Sequence, residues 1–229
     1  MRINNNHHKN YWVSLPFINK FFQKILKKNR EIFYNYFKNS IFIDINKNIL
    51  DVGTTDIVNE YENIFLQKYP YKEKITCLSN QELLEVKKKY PEIQTLLGDA
   101  RNMNFEDNCF EIVHSNATIE HVGNFENQIK FIQECYRVSS KYVFIQTPNK
   151  LFPIDFHTKI PLIHFLPDKV YRTLLKLVGL SFYSDINNLN LLSKKKLIVI
   201  MKILNIYNYK IIDHKLFGLR SNIVLIIRK

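Results

Sequence analysis

The apolar positions of this chain change their period along its length, and the period marks the elements. From Pro16 onward, Phe17, Phe21, Phe22, Ile25, Leu26, Ile32, Phe33, Tyr36 and Phe37 recur at helical spacing, so an amphipathic helix is predicted over 17–37. Asn48–Gly53 then reads as a short apolar strand ending in glycine. A polar stretch around Asn59–Tyr69 follows, and Lys74–Leu78 is a second strand. Gln81–Lys89 has a helical pattern that Pro91 stops, and Ile93–Leu97 is a third strand before Gly98-Asp99. Phe110–His114 is a fourth strand. Glu126–Val138 is a helix with Ile129, Ile132, Cys135 and Tyr136 as its apolar positions, and Tyr142–Ile145 is a fifth strand closed by Thr147-Pro148.

Alternation of strand and helix at intervals of roughly 20–40 residues is the pattern of βαβ units and a parallel sheet. The second half differs. Pro153, Pro161 and Pro167 bar a single helix from Leu151–Pro167, so 146–168 is expected to be an ordered lid or acceptor loop. Helices are predicted at Lys169–Val178 and Leu191–Leu204. Tyr209–Asp213 and Asn222–Ile227 are predicted as an antiparallel strand pair at the sheet edge. The expected architecture is a single α/β domain over 1–229, with 1–47 as an N-terminal helical extension. Its sheet is Rossmann-like, doubly wound, seven-stranded and mostly parallel, with the antiparallel pair at its C-terminal edge.

Composition narrows the classes. With 229 residues, 46% of them hydrophobic, the chain can bury a sizeable core and wholesale disorder is excluded. No apolar run approaches the roughly 18–20 residues of a membrane span; Leu197–Leu204 is already broken by Lys202. The start, MRINNNHHKN, has no hydrophobic stretch, which argues against a signal peptide. Cys77, Cys109 and Cys135 are odd in number and lack CxxC or CxxH spacing, so neither a disulfide framework nor a zinc site is expected, and a cytoplasmic location is. His7-His8 lacks further ligands, and no metal is expected.

The net charge of +12 points first to nucleic acid or an anionic membrane. Yet 26 of the 33 basic residues are Lys, whereas nucleic-acid grooves favour the bidentate fork of Arg. Runs such as Lys87–Lys89 and Lys194–Lys196 read as solvated helix surface. No nucleic-acid partner is expected, while the Lys-rich polar face of helix 17–37 permits peripheral membrane contact.

In an open parallel sheet, ligands bind beyond the carboxyl ends of the strands. Those tips carry Gly53-Thr54-Thr55-Asp56, Gly98-Asp99-Ala100, Ser115-Asn116-Ala117 and Gln146-Thr147-Pro148-Asn149. Small and polar residues at all four exceed what a purely structural sheet needs. A dinucleotide fingerprint would require three glycines, and only Gly53 is present, so NAD is disfavoured; there is no GxxxxGK[ST] phosphate loop either.

The segments ILDVG at 49–53, GDA at 98–100 and FEDNCFEIVHSNATIEHVGN at 105–124 resemble class I S-adenosylmethionine-dependent methyltransferases, and within them the type-11 group. The string QTPNKLFPIDFHTKIPLIHFLP at 146–167 is similar to a bacterial branch that reads TPN-x-x-FPIE-x-H, then P, then H-x-LP. The resemblance implies S-adenosylmethionine as cofactor, with Asp51, Gly53 and Thr54 lining its methionine end. By the same resemblance Asp99 accepts a hydrogen bond from the adenine amino group, Ala100 packs near the ring, and Ser115 and Asn116 stand beside the sulfonium. The chain departs from the family twice. The first turn reads GTTD with fewer glycines, and no acid follows the second strand in Leu78-Ser79-Asn80-Gln81 to hold the ribose, which leaves Ser79 and Asn80, with Glu82 just beyond.

Methyl transfer asks the protein to position an acceptor and, for an O- or N-acceptor, to take its proton. His157 and His121 are the candidate bases, with Asp155 as an orienting carboxylate two residues before His157. The same residues also read as loop braces, and His164, between Ile163 and Phe165, reads as a core histidine. The expected function is methyl transfer to a small-molecule or glycan-type acceptor. Two rivals stand beside it: an RNA methyltransferase, with Lys and Arg gathered at the strand tips, and a non-catalytic binding or scaffold module, which the two departures favour.

Overall fold

The computed structural model describes residues 16–41 and 47–229; His7 and His8 lie outside them. Helix α1 (Pro16–Ser40) precedes β1 (Ile49–Val52). Next come α2 (Ile64–Lys68), β2 (Ile75–Ser79), α3 (Leu84–Lys89), β3 (Gln94–Leu97), β4 (Phe110–Asn116), α4 (Phe125–Val138) and β5 (Ser139–Pro148). The proline-rich segment 149–167, named the lid for its expected role, leads to α5 (Asp168–Leu177), α6 (Ser181–Ser184), α7 (Lys194–Ile203), β6 (Tyr209–Leu216) and β7 (Leu219–Arg228).

The seven strands form one sheet in the order β3-β2-β1-β4-β5-β7-β6. Strands β1 to β5 pair in parallel, and β7 runs antiparallel to both β5 and β6. Because β1 pairs with β2 on one side and β4 on the other, strand order reverses there, and in open parallel sheets ligands bind beyond the strand ends at such a reversal.

Alternate residues of each strand feed opposite cores, as the two-residue period of a strand requires. Ile49, Ile75, Ile112, Phe144 and Val224 pack with Phe33 and Phe37 of α1, Phe65 of α2 and Val86 of α3. Leu50, Val113, Val143 and Leu225 pack with Phe131 and Ile132 of α4 and Leu197 and Ile200 of α7. Burial on both faces is why the strands read as continuous apolar runs. Asn124 caps α4 by accepting from the Asn127 N–H, and Ser193 caps α7 by accepting from the Lys196 N–H.

The predicted polar stretch at Asn59–Tyr69 is corrected: it holds α2, whose Ile64, Phe65 and Leu66 are buried. A five-residue helix is too short to show a period. Strand β5 starts at Ser139, earlier than predicted, because Ser139–Lys141 joins the sheet through polar residues. The prolines do exclude a long helix from the lid, which carries only a single 3-10 turn at Ile163–Phe165. Beyond it, Tyr171, Leu175 and Leu180 form a small core of their own with Ile160, Ile163 and Tyr183. Among the described residues, no helix is long and apolar enough to cross a membrane.

Candidate active site

The β1 tip is held from below by a buried polar group. Asp51 accepts from His114 Nδ1 at 2.6 Å and from the Thr54 hydroxyl. The two strands stand in register, Asp51 opposite His114 and Val52 opposite Ser115. The His114 ring lies between Phe65 (centroids 4.0 Å apart) and Phe144 (5.7 Å), with Phe37 edge-on. Both Asp51 oxygens are therefore engaged inside the protein, and the residue fixes the turn that begins at Gly53. Asp51→Ala strands the donors of His114 and Thr54 in the interior. It is expected to lower stability by about 3 kcal/mol, read from the urea unfolding midpoint.

Gly53 takes φ +88, which favours glycine. Its N–H donates to Leu78 O at 2.8 Å, extending the sheet. A Cβ at Gly53 would stand 2.2 Å from Thr118 Oγ1. The close approach that glycine permits is thus made by the chain's own Thr118, whose hydroxyl donates to Val52 O. Thr54 is buried, and Ser115 is fully buried with its hydroxyl donating to Val52 O.

Backbone contacts carry the tips side by side: Gly98 N–H donates to Ser79 O and Ala117 N–H to Gln146 O. Ser79 is buried, Asn80 and Glu82 are exposed, and Ala100 is half-buried against the α4-side core. Asp99 is exposed and gripped by Arg101, with Nε to Oδ1 at 2.9 Å and Nη2 to Oδ2 at 2.7 Å. That pairing holds its carboxyl below the ordinary range. Arg101 also donates to Val122 O, tying the β3 tip to the segment after β4. At the β4 tip, Asn116 Oδ1 is buried without a hydrogen-bond partner in the structure.

A second polar cluster lies between the β5 tip, the 3-10 turn Ile119–His121 and the lid. Asp155 accepts from His157 Nδ1 (2.9 Å) and from the backbone N–H groups of His157 and Thr158, so it braces the lid and orients the ring together. His157 Nε2 faces Glu120 Oε1 at 3.8 Å. Glu120 is fully buried; its other oxygen accepts from the Thr147 hydroxyl of β5, while Oε1 has no hydrogen bond. His121 Nδ1 donates to Asn188 O at 2.6 Å, and its ring meets His157 edge-on at 4.7 Å. His164 is buried, donating from Nε2 to Phe152 O, and sits apart as a brace under the lid.

The electrostatics of the cluster follow from burial against charge. Burial pushes Glu120 up, only partly offset by His157. Burial alone would lower His157, but the charge and hydrogen bond of Asp155, with the charge of Glu120, hold it above its ordinary value. Burial would raise Asp155, yet His157 and the N–H donors bring it down to about 2. Donor atoms of Glu120, His121 and His157 all lie within 4.8 Å of one another. A tetrahedral zinc with bonds of about 2.1 Å would set its ligands about 3.4 Å apart. At 3.8 Å, the attraction of an imidazolium for a buried carboxylate accounts for the approach of His157 to Glu120.

Sequence reasoning singled out His157, His121 and Asp155, and the structure brings them together. It missed Glu120, which stands between apolar Ile119 and the His121-Val122 pair with only a turn-like pattern around it. It also missed Thr118 and His114. A polar residue within an otherwise apolar strand, as in Asp51 and again in His114, was the signal available for the last.

A doubly wound sheet of this kind places its ligand-binding positions beyond the carboxyl ends of the strands, at the switch point. Residues 50–142 match the family model described as a methyltransferase domain. A SAM-dependent methyltransferase from Aquifex aeolicus superposes with a TM-score of 0.59 at 15% identity, covering 91% of this chain and 97% of that one. One from Archaeoglobus fulgidus gives 0.56 at 14%, covering 90% and 94%. A putative methyltransferase of Haloferax volcanii, solved in complex with a methyltransferase activator, gives 0.58 at 7%, covering 90% and 92%. No curated protein sequence matches the chain. The structural likenesses speak for the fold, and the match of residues 50–142 for a likeness to the methyltransferase domain in that segment. The chain has the fold of the S-adenosylmethionine-dependent methyltransferases it superposes on, and over residues 50–142 it is similar to the methyltransferase-domain family. One observation bears on the fit of S-adenosylmethionine, the cofactor that this likeness implies: the orphaned Asn116 Oδ1 at the switch point is an acceptor suited to the ammonium or hydroxyl donors that it carries.

Proposed function

We propose that the chain methylates a small-molecule or glycan-type acceptor, with His157 taking the acceptor's proton. S-adenosylmethionine supplies the methyl electrophile and the leaving group. The observation that carries the reading is the array of partly buried His157 between buried Asp155 and Glu120, beside the β5 tip. Asp155 holds the Nδ1–H, so Nε2 is the atom that accepts a proton. The 3.8 Å between Nε2 and Glu120 Oε1 is too long for a direct hydrogen bond. An acceptor hydroxyl placed about 2.8 Å from Nε2 would donate its single proton there. His121 packs against His157 and limits its rotation.

On the cofactor side, Asp51, Gly53 and Thr54 form the turn toward the methionine end, Asp99 and Ala100 flank the adenine, Ser79 and Asn80 serve the ribose, and Ser115 and Asn116 stand near the reacting centre. What supports these roles is the adjacency of the four strand tips and the unpartnered Asn116 Oδ1. The acceptor is taken to be other than nucleic acid, because segments 98–124 and 146–167 carry acidic Asp99, Glu106, Asp107, Glu111, Glu120 and Asp155 against basic Arg101, Lys150 and Lys159. The enzyme is read as cytoplasmic from its cysteine pattern.

A second reading, a scaffold that has lost its cofactor, draws on Thr118 packed over Gly53. Calorimetric titration with S-adenosylmethionine and with its demethylated product separates the two. Both are expected to bind, and Asp99→Ala is expected to weaken binding about tenfold through loss of one charged hydrogen bond. Absence of heat for both ligands at millimolar concentration would establish the scaffold instead.

A further inference from the structure

The lid and α5 present apolar surface to solvent in one stretch of sequence. Leu162, Phe165, Leu166, Val170, Leu177 and Val178 are all at least 40% exposed. Helix α5 turns Tyr171 and Leu175 inward to the small lid core. Val170, Leu174 and Leu177, at i, i+4 and i+7, then share one flank of the helix. Lys169 and Lys176, at i and i+7, share its outward face and are exposed. Asp168 is matched by Arg172 at 2.8 Å, so α5 carries three basic residues against one acidic.

We infer that this face, α5 with the Phe165-Leu166 turn before it, docks on a membrane surface bearing anionic lipids. An apolar flank beside a lysine face is the pattern of a helix lying in the bilayer interface, with apolar chains in the acyl boundary and ammonium groups at the headgroups. The charge argues for this occupant over a second copy of the chain. Two molecules at +12 each would bring like charges together, whereas an anionic leaflet attracts both the face and the whole molecule. Docking is independent of the methyl-transfer reading and of its site residues.

Co-sedimentation of the full chain with vesicles tests it. Binding is expected to phosphatidylcholine vesicles containing about 30% phosphatidylglycerol, to be far weaker on pure phosphatidylcholine, and to fall steeply with added salt. Val170→Ser with Leu177→Ser is expected to lower the partition coefficient about tenfold or more through lost apolar burial. Lys169→Gln with Lys176→Gln is expected to lower it about thirtyfold. All four positions are exposed, so circular dichroism and S-adenosylmethionine titration should match the parent and show that each variant is folded. Equal binding to both vesicle types, no binding to either, or full binding by the variants overturns the inference. So does a dimer in sedimentation that Val170→Ser with Leu177→Ser dissolves, which would assign the face to a second copy.

Discussion

Replacing His157 with alanine is expected to cut turnover by about 10²–10⁴-fold, the usual contribution of a general base, while leaving the affinity for S-adenosylmethionine unchanged. The ring meets Asp155 from its own loop, Glu120 and His121 from the turn after β4, and Tyr183 from α6. Burial opposes its protonation, but Asp155 and Glu120 outweigh burial and hold the pKa above its ordinary value. A base works in its neutral form, so kcat/KM should rise with pH through a limb above about 6.5. Glu120→Gln removes one charge that retains the proton and should move that limb to lower pH. Turnover that survives His157→Ala, or a limb that Glu120→Gln leaves in place, would assign the base elsewhere. The linkage has a second sign: a raised histidine pKa stabilises the fold below the unfolded value near 6.5, and that contribution is lost as pH rises through the folded value. The cluster therefore gives up stability over the same range in which the base becomes available.

Gly53→Ala is expected to be among the most damaging single-methyl changes in the chain. A left-handed backbone costs a non-glycine residue about 1–2 kcal/mol, and forcing a methyl group into a packed site about 1–3 kcal/mol more. At φ +88, with Thr118 Oγ1 at 2.2 Å and Thr118 Cβ at 2.8 Å from the new Cβ, both penalties apply. The sum is a loss of about 2–5 kcal/mol in urea unfolding. Adding Thr118→Ala should recover part of the packing share and none of the backbone share. A single variant that unfolds within about 0.5 kcal/mol of the parent would show that the turn relaxes freely.

The strands were legible because a sheet covered on both faces leaves its apolar runs unbroken, as in Val143–Ile145 and Ile223–Ile227. That 149–167 holds no long helix was legible through Pro153, Pro161 and Pro167. The cluster was half legible: Asp155 and His157 are two residues apart, and their contact is local. Glu120 joins them through β5 and Thr147, a tertiary contact that local spacing does not encode. The partnership of Asp51 and His114 depends on β1 lying beside β4, across 63 residues of chain. Gly53 was legible as a special position, but not for its reason, since only the fold brings Thr118 over it.

The separate core of Tyr171, Leu175 and Leu180 divides the stability of this molecule into parts that can be disturbed one at a time. Substitutions that reshape the lid disturb its own few contacts, while the two cores flanking the sheet keep theirs. Repacking of this small core therefore leaves the contacts of the two cores flanking the sheet in place.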